Sequence, residues 1–168
     1  MSKSRDFLGP YRLARLIRLG STAEVWEAIE EHSQDRFALK ILRDNLRKNK
    51  TELALLKHEY NVAKDLNSPR IIKVIEFREE AGTPFLVLEL FSELNMKQAL
   101  RRGPESLAFM LDKIVEHAAE GLYYMHTKNW IHLDIKPDNF LVSRDGTTKL
   151  IDFTIAEKKK KGLTKLFH

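Results

Sequence analysis

Two charged residues stand where the sequence otherwise predicts an apolar core. Lys40 interrupts the apolar run FALKIL at residues 37–42, and Glu59 falls on the apolar stripe of a predicted helix. A buried lone charge is costly, whereas a buried ion pair is tolerated when its geometry is good. Two interpretations remain open. Lys40 and Glu59 meet between sheet and helix, or the lysine extends to solvent and the glutamate lies at the edge of its stripe.

A second set of polar residues has the chemistry of a hard-cation site. The string HLDIKPDN at residues 132–139 places Asp134 and Asn139 between apolar runs, and Asp152 follows the run KLI thirteen residues after Asn139. Mg²⁺ prefers a few carboxylate or amide oxygens together with phosphate oxygens. Each aspartate alone could be a turn or cap residue. Their combination with Lys40 and Glu59 favours the cation site.

A sheet followed by helices must position these residues. Between residues 11 and 41, short apolar runs alternate with polar turns, which predicts an antiparallel sheet. Two further strands are predicted on either side of a hairpin turn at residues 81–83. The predicted helices run from an N-cap at Thr51 to about Leu66, from Asn95 to Arg102, and from a cap at Ser106 to about Thr127. This order predicts an α+β protein with two lobes.

Composition excludes several classes of protein. The 168 residues contain no cysteine, so a disulfide scaffold and a thiolate metal site are excluded. No apolar run approaches the roughly 18 residues that a membrane-spanning helix needs. The net charge of +5 equals the five lysines of residues 158–168, whereas residues 1–157 are balanced. The basic character therefore describes a tail and gives no evidence for a basic binding face.

The spaced motifs resemble those of the eukaryotic-type (Hanks-type) protein serine/threonine kinases, which also occur widely in bacteria. The set comprises FALK at 37–40, Glu59, LVLELF at 86–91, HLDIKPDN at 132–139 and IDF at 151–153. The resemblance implies a protein-kinase-like two-lobed fold truncated within the activation segment. Its implied parts are a leader at 1–10, an N-lobe at 11–88, a hinge at 89–95, a partial C-lobe at 96–157 and a basic start of the activation segment at 158–168.

The resemblance also implies the cofactors ATP and Mg²⁺ and a role for each motif residue. Asp134 is implied to orient the substrate hydroxyl and accept its proton, and Lys136 to neutralise the transferring phosphoryl group. The implied phosphate-binding pair is Lys40 with Glu59, and the implied metal ligands are Asn139 and Asp152. The residues implied to bind the nucleotide are Ile17, Gly20, Val25, Ala38, Lys40, Leu88, Glu89, Phe91, Asn95 and Leu141.

Four departures from the family pattern leave other functions open. The glycine-rich loop at 18–25 keeps only Gly20, Leu133 replaces the usual arginine, and Thr154 replaces the glycine after Asp152-Phe153. That glycine permits a backbone flip in the family, which Thr154 is expected to restrict. The chain also ends 16 residues after Asp152. We therefore expect a piece of a kinase with weak or no activity by itself; a non-catalytic nucleotide-binding scaffold or a small-molecule kinase are the alternatives.

The expected partners follow from the same resemblance. We expect ATP and a protein substrate that carries Ser or Thr, and self-association through an apolar face left open in the partial C-lobe. The tail KKKKGLTKLFH is either a patch for membranes or nucleic acid or the start of the activation segment, and we favour the second. We expect no nucleic-acid partner and no membrane contact through the tail. The expected location is the cytoplasm, or the cytoplasmic face of a membrane if the full-length protein carries a membrane segment.

Overall fold

The computed structural model describes residues 7–91 and 93–159, and their contacts divide the chain into two units. The first unit contains the described residues up to Lys64 together with residues 73–91. The second contains residues 65–72 and the described residues from Glu93 onward. The first is mainly a sheet and the second mainly helices, so the chain has the expected α+β composition.

A six-stranded antiparallel sheet forms most of the first unit. Its order is β1-β2-β3-β4-β6-β5. The strands are β1 (Phe7–Leu8), β2 (Tyr11–Leu19), β3 (Ala23–Glu30), β4 (Arg36–Leu42), β5 (Val74–Glu80) and β6 (Thr83–Glu89). Short runs rich in branched and aromatic residues form these strands, as the sequence predicts.

Alternation along the strands gives this sheet two different faces. One face carries an apolar cluster whose members come from every strand except β5. The buried members are Leu8, Tyr11, Ala28, Leu39, Ile41, Phe85 and Val87. The edge-to-face contacts of the Tyr11 ring with Phe37 and Phe85 belong to the same cluster. Helix α1 (Lys50–Ala63) contacts β5 and β6.

Helix α1 begins and ends earlier than the sequence predicts. Asn49 is its N-cap, because its side-chain oxygen accepts hydrogen bonds from the N–H groups of Thr51 (2.9 Å) and Glu52 (3.3 Å). The predicted cap at Thr51 is therefore wrong by two residues. Both asparagine and threonine are good caps, so the sequence alone did not separate them. The last helical residue is Ala63.

The hairpin between β5 and β6 turns on two residues, Ala81 and Gly82. Both have positive φ angles, 48° and 73°. Positive φ at both central residues defines a type I′ turn, whose twist matches that of the strands beside it. The predicted hairpin is confirmed.

The second unit combines helices with short strand pairs. Its helices are α2 (Met96–Arg102), α3 (Glu105–Ala108) and α4 (Leu111–Thr127). Its strands are β7 (Leu94–Asn95), β8 (Trp130–Ile131), β9 (Phe140–Val142), β10 (Thr148–Leu150) and β11 (Glu157–Lys158). They pair as β10-β9-β7 and β11-β8.

The predicted single helix from residue 106 to 127 is wrong, because the helix is interrupted between α3 and α4. Residues 109 and 110 separate the two helices, and Met110 is the residue before α4. Leu111 is 56% exposed although its side chain is apolar. The buried residues of α4 are Ile114, His117, Gly121 and Met125. Two of these four residues, His117 and Gly121, have no hydrophobic side chain, so the apolar residues mark only part of the buried face of α4.

Residues 65–72 belong to the second unit, although the sequence predicts one N-lobe from 11 to 88. The Arg70 carbonyl accepts a hydrogen bond from Leu150 N–H (2.8 Å), and the Leu150 carbonyl accepts one from Ile72 N–H (3.0 Å). The Arg70 side chain forms an ion pair with Glu120 of α4 at 2.5 Å. These long-range contacts explain the different boundary.

Two expectations concern membranes and the basic tail. Within residues 7–91 and 93–159, no helix is both long and apolar enough to cross a membrane. The predicted tail starts at residue 158, yet Lys158 lies in β11, with its Nζ 5.4 Å from the ring centroid of Trp130. The rest of that predicted segment, residues 160–168, lies outside the described residues.

Candidate active site

An ion pair between Lys40 and Glu59 is the main feature of the first unit. Lys40 Nζ lies 2.6 Å from Glu59 Oε2, and the two side chains are 19% and 3% exposed. Lys40 comes from the centre of β4, and α1 carries Glu59 among the buried residues Leu56 and Val62. Of the two interpretations that the sequence left open, the contact between sheet and helix is confirmed.

The strand register aligns further predicted residues with Lys40. Lys40 is paired with Val25 on β3 and with Leu86 on β6, and Ala38 is paired with Leu88. Directly opposed residues on neighbouring strands share a face of the sheet. Val25, Ala38 and Leu88 therefore lie on the same face as the Lys40 ammonium, opposite the apolar cluster. Ala38 and Leu88 are each only 8% exposed.

The turn between β2 and β3 contains the one glycine kept from the family's loop. Gly20 N–H donates to the Ala23 carbonyl at 2.9 Å, and a Cβ added at Gly20 would meet that same oxygen at 2.9 Å. Any larger residue would push the two backbone segments apart. Arg43 N–H donates to the Thr22 carbonyl at 3.0 Å, which ties this turn to the residue after β4. Ile17 lies on β2 near the turn and is half-buried.

Glu89, at the end of β6, and Phe91 are among the residues that the resemblance implies bind the nucleotide. Glu89 N–H donates to the Lys73 carbonyl at 3.0 Å, and Lys73 N–H donates to Glu89 Oε1 at 2.8 Å. The N–H and the side chain of Glu89 are thus both bonded to the backbone of Lys73. Phe91 follows two residues later and is half-buried.

Asp134 is the centre of the second group, which lies in the second unit. Its Oδ2 accepts a hydrogen bond from Asn139 Nδ2 at 2.9 Å and lies 2.7 Å from Lys136 Nζ. Asn139 Nδ2 also donates to the Asp134 carbonyl at 2.8 Å. The hydrogen bond to Asp134 raises the pKa of Lys136, with the charges of Asp152 and Asp138 acting in the same direction. Lys136 is therefore a stable cation beside a carboxylate.

His132 supports this loop from within the core. Its ring is 1% exposed, and its Nδ1 accepts a hydrogen bond from Asp134 N–H at 3.2 Å. That bond leaves the ring proton on Nε2, which donates to the Ile151 carbonyl at 3.0 Å. The next residue, Leu133, has a φ of 64°. A branched side chain in this left-handed region marks a constrained backbone, which nothing in the sequence indicated.

The hairpin of β9 and β10 brings the two predicted metal ligands together. Phe140 pairs with Leu150, and Ile151 N–H extends the ladder by donating to the Asn139 carbonyl at 2.9 Å. Asp152, with a φ of 66°, follows Ile151 directly. Residues thirteen apart in sequence thus become neighbours. In the described part of the chain, no group of three His, Cys, Asp or Glu is arranged to hold a metal. A cation here would need oxygen ligands from phosphate as well.

Leu141 and Asn95 are adjacent on the strand pair β7–β9. The side chain of Asn95 is the N-cap of α2: its Oδ1 accepts from Gln98 N–H at 2.8 Å, and Gln98 Oε1 accepts from Asn95 N–H at 3.1 Å. This reciprocal capping box and an exposure of only 7% give Asn95 a structural role. Asn95, one of the residues implied to bind the nucleotide, thus has its side chain engaged in starting helix α2. The spacing Asn-x-x-Gln could have indicated this role.

The predicted residues therefore form two groups, one in each unit. The first contains Lys40, Glu59 and the strand face beside them, and the second contains Asp134 with its partners. The family model for the protein kinase domain matches residues 11–167, and the chain belongs to the protein kinase family.

Several bacterial kinases are similar to this chain. The serine/threonine-protein kinase PknA of Mycobacterium tuberculosis is 33% identical over 155 residues, which cover 89% of this chain and 36% of that protein. The serine/threonine-protein kinase drp72 of Corynebacterium efficiens is 32% identical over 162 residues, covering 91% and 31%. PknH of Mycobacterium bovis is 28% identical over 155 residues, covering 92% and 26%. The chain thus spans about a third or less of the length of most of these relatives.

Proposed function

We propose that the protein containing this chain transfers the γ-phosphate of ATP to serine or threonine hydroxyls of proteins. The observation that carries this proposal is the arrangement around Asp134, in which one carboxylate oxygen is held by Asn139 and by Lys136. A scaffold that only binds a partner has no chemical need for this arrangement. Serine and threonine as acceptors are supported by the names of the related kinases and by the lysine two residues after Asp134.

Asp134 acts as the group that receives the proton of the substrate hydroxyl. Both neighbours contact its Oδ2, so they fix the carboxylate plane, and neither of these two bonds uses Oδ1. The side chain is 31% exposed, which allows a substrate hydroxyl to approach it. Phosphoryl transfer requires little covalent work from the protein, and positioning together with charge stabilisation supplies most of the catalysis.

Each unit contains one lysine that has a role in this proposal. Lys136 is 48% exposed and lies beside Asp134, so its ammonium can follow a phosphoryl group that moves toward the acceptor hydroxyl. Lys40 is 19% exposed and binds the α- and β-phosphates of ATP in this proposal. Glu59 fixes the Lys40 ammonium in place, and the fixed charge needs no reorganisation during the reaction.

Asn139 and Asp152 would hold Mg²⁺ together with phosphate oxygens. The donor set fits this ion, because both N–H bonds of the Asn139 amide go to Asp134 and its oxygen is the remaining polar atom. One amide and one carboxylate oxygen, completed by phosphate and water, are typical of Mg²⁺ bound with nucleotides. When bound, Mg²⁺ neutralises charge on the phosphates. The face with Val25, Ala38 and Leu88 is apolar and suited to a base.

A non-catalytic nucleotide-binding protein of the same fold is the second candidate. It is favoured by the single glycine in the β2–β3 turn and by the residues Leu133 and Thr154. A turn with only Gly20 limits how closely the loop backbone approaches phosphates. Such a protein would bind ATP and transfer nothing.

The test is transfer of label from γ-labelled ATP to a generic serine/threonine protein substrate by the full protein. Wild type should label serine and threonine, and Lys40→Met should reduce the rate at least a hundredfold. Lys48→Met is the matched control, since Lys48 is exposed, and it should retain the wild-type rate. Wild-type protein that binds Mg-ATP and labels no protein substrate would instead support the scaffold.

A further inference from the structure

Thr154 makes two hydrogen bonds to the carboxylate of Asp152. Its Oγ1 donates to Asp152 Oδ1 at 2.5 Å, and its backbone N–H donates to the same oxygen at 3.3 Å. Hydrogen bonds to a charged acceptor are the strong ones, and the shorter bond lies at the lower end of the range for a hydroxyl. Both bonds go to Oδ1, so Thr154 does not engage Oδ2 through either of them.

Buried contacts hold the two residues next to Asp152 in the chain. The ring of Phe153 is fully buried and contacts the ring of His132 edge to face, with centroids 5.7 Å apart. His132 Nε2 donates to the Ile151 carbonyl at 3.0 Å. The residues before and after Asp152 are therefore both fixed by one buried histidine. The Asp152 side chain itself is contacted by Thr154.

We infer that Thr154 is a positioning residue that fixes the Asp152 carboxylate for a metal ion bound with nucleotide. This inference rests on the proposed function, because it assumes that Asp152 is a metal ligand. Hydrogen bonds to a ligating carboxylate orient it and support metal affinity. The glycine usual in the family gives the backbone freedom to flip at this position. Thr154 instead contacts the Asp152 carboxylate directly through its hydroxyl.

Backbone conformation gives the threonine a second effect. Asp152 has a φ of 66°, in the left-handed region, whereas Thr154 is not among the residues with positive φ. A β-branched residue enters the positive-φ region only against a steric clash of its Cβ with the neighbouring carbonyl oxygen. Arrangements of residues 152–154 that need positive φ at Thr154 are therefore disfavoured, and the observed arrangement is favoured before any ligand binds.

A turn elsewhere in the same unit provides a matched comparison. Thr147 Oγ1 donates to Asp145 Oδ2 at 3.0 Å and Thr147 N–H donates to Asp145 Oδ1 at 3.1 Å, again across two residues. Asp145 is not among the residues proposed to bind metal. If the contact of Thr154 only stabilises a turn, then removing either hydroxyl should have the same kind of effect. If Thr154 positions a ligand, only its own hydroxyl should affect metal binding.

The experiment measures how much Mn²⁺ strengthens binding of the β,γ-imido analogue of ATP. Calorimetry gives the dissociation constant with saturating Mn²⁺ and with EDTA, and the ratio of the two constants reports the metal contribution. Thr154→Val should reduce this ratio about tenfold, the lower end for loss of a hydrogen bond to a metal ligand. Thr154→Ser keeps the hydroxyl and should retain the wild-type ratio, as should Thr147→Val. The constants measured in EDTA should be the same for all four proteins.

Each other outcome overturns the inference in a distinguishable way. A wild-type ratio in Thr154→Val, or a ratio equally reduced in Thr154→Ser or Thr147→Val, would remove the positioning role and leave the proposed function intact. A wild-type protein whose nucleotide affinity does not respond to Mn²⁺ would overturn the proposed function and this inference with it. Thr154→Ala is the second variant without a hydroxyl. If Thr154→Val does not reach the wild-type melting temperature in EDTA, the ratio of dissociation constants is measured with Thr154→Ala in its place.

Discussion

Lys40 Nζ and Glu59 Oε2 are 2.6 Å apart, although one side chain comes from the centre of a strand and the other from a helix. The glutamate is almost completely buried and the lysine is 19% exposed. Each charge makes the other tolerable in a region that is otherwise apolar. The pair therefore has two separable effects, one on stability and one on the position of the ammonium.

Separating these two effects gives the first prediction. Lys40→Met leaves the Glu59 carboxylate buried without its partner and should reduce the free energy of unfolding by about 3 kcal/mol. The double variant Lys40→Met/Glu59→Leu should recover most of that loss, because an apolar pair of similar size replaces the ion pair. Neither variant should bind ATP as wild type does. Chemical denaturation and calorimetric titration with Mg-ATP measure the two properties.

Recovery of stability without recovery of binding is the signature of a functional pair. A double variant that binds Mg-ATP with wild-type affinity would show that Lys40 does not contact phosphate. A single variant Lys40→Met as stable as wild type would show that the contact contributes nothing to folding.

The sequence singled out these two residues because charges in apolar patterns are unusual, but the pattern left open whether they meet, and the family resemblance implied that they do. It also predicted the sheet and the hairpin at Ala81-Gly82. The break between α3 and α4 was missed, since the apolar spacing continues through it. Leu133 and Asp152 at positive φ were missed because a backbone constraint of this kind follows from tertiary contacts.

The cap of α1 gives a prediction about stability alone. Asn49→Ala removes the acceptor for two N–H groups at the start of the helix and should reduce the free energy of unfolding by about 1 kcal/mol. Asn49→Asp should retain most of the wild-type stability, because a carboxylate accepts the same bonds. Urea denaturation measures the difference. Equal stability of wild type and Asn49→Ala would remove Asn49 as the effective cap.

The buried side chain of His117 makes the free energy of unfolding depend on pH. The side chain is 6% exposed and accepts a hydrogen bond from Thr148 N–H through Nδ1 at 3.2 Å. Burial lowers its pKa, and the charges of Arg70 and Lys113 lower it further while that of Glu120 opposes them. The unfolded chain then binds a proton where the folded chain does not. The stabilising contribution is therefore complete above the ordinary histidine pKa and is lost as the pH falls toward the lower pKa of the folded state.

The measurement is unfolding by urea at several pH values between 7.5 and 5. The free energy of unfolding of wild type should fall by up to about 1.4 kcal/mol per pH unit in the affected range from this one group. His117→Asn retains an acceptor near the position of Nδ1 and removes the titration, so its curve should be flatter. His126→Asn, on the exposed side of the same helix, should match the slope of wild type. A steeper curve for His117→Asn would reverse the assigned sign.

The contacts that support the motif residues were not predicted from the sequence. Motif residues carry chemistry that is recognisable from residue type and spacing. The supports depend on which groups meet after folding, as with the Arg70 carbonyl that holds Leu150 and the Thr154 hydroxyl that contacts Asp152. The capping role of the Asn95 side chain in helix α2 was likewise not predicted, and its part in binding nucleotide stays a prediction.

In the proposed function, Asp134 receives the proton of a serine or threonine hydroxyl during phosphoryl transfer. The most direct test measures Mg-ATP affinity and the initial rate of γ-phosphate transfer for wild type and Asp134→Asn of the full protein. Asparagine keeps the size of the side chain and removes its basicity. The rate should fall by a factor of about 10² to 10⁴ while the affinity for Mg-ATP changes less than about threefold. Transfer by Asp134→Asn at the wild-type rate would contradict the account.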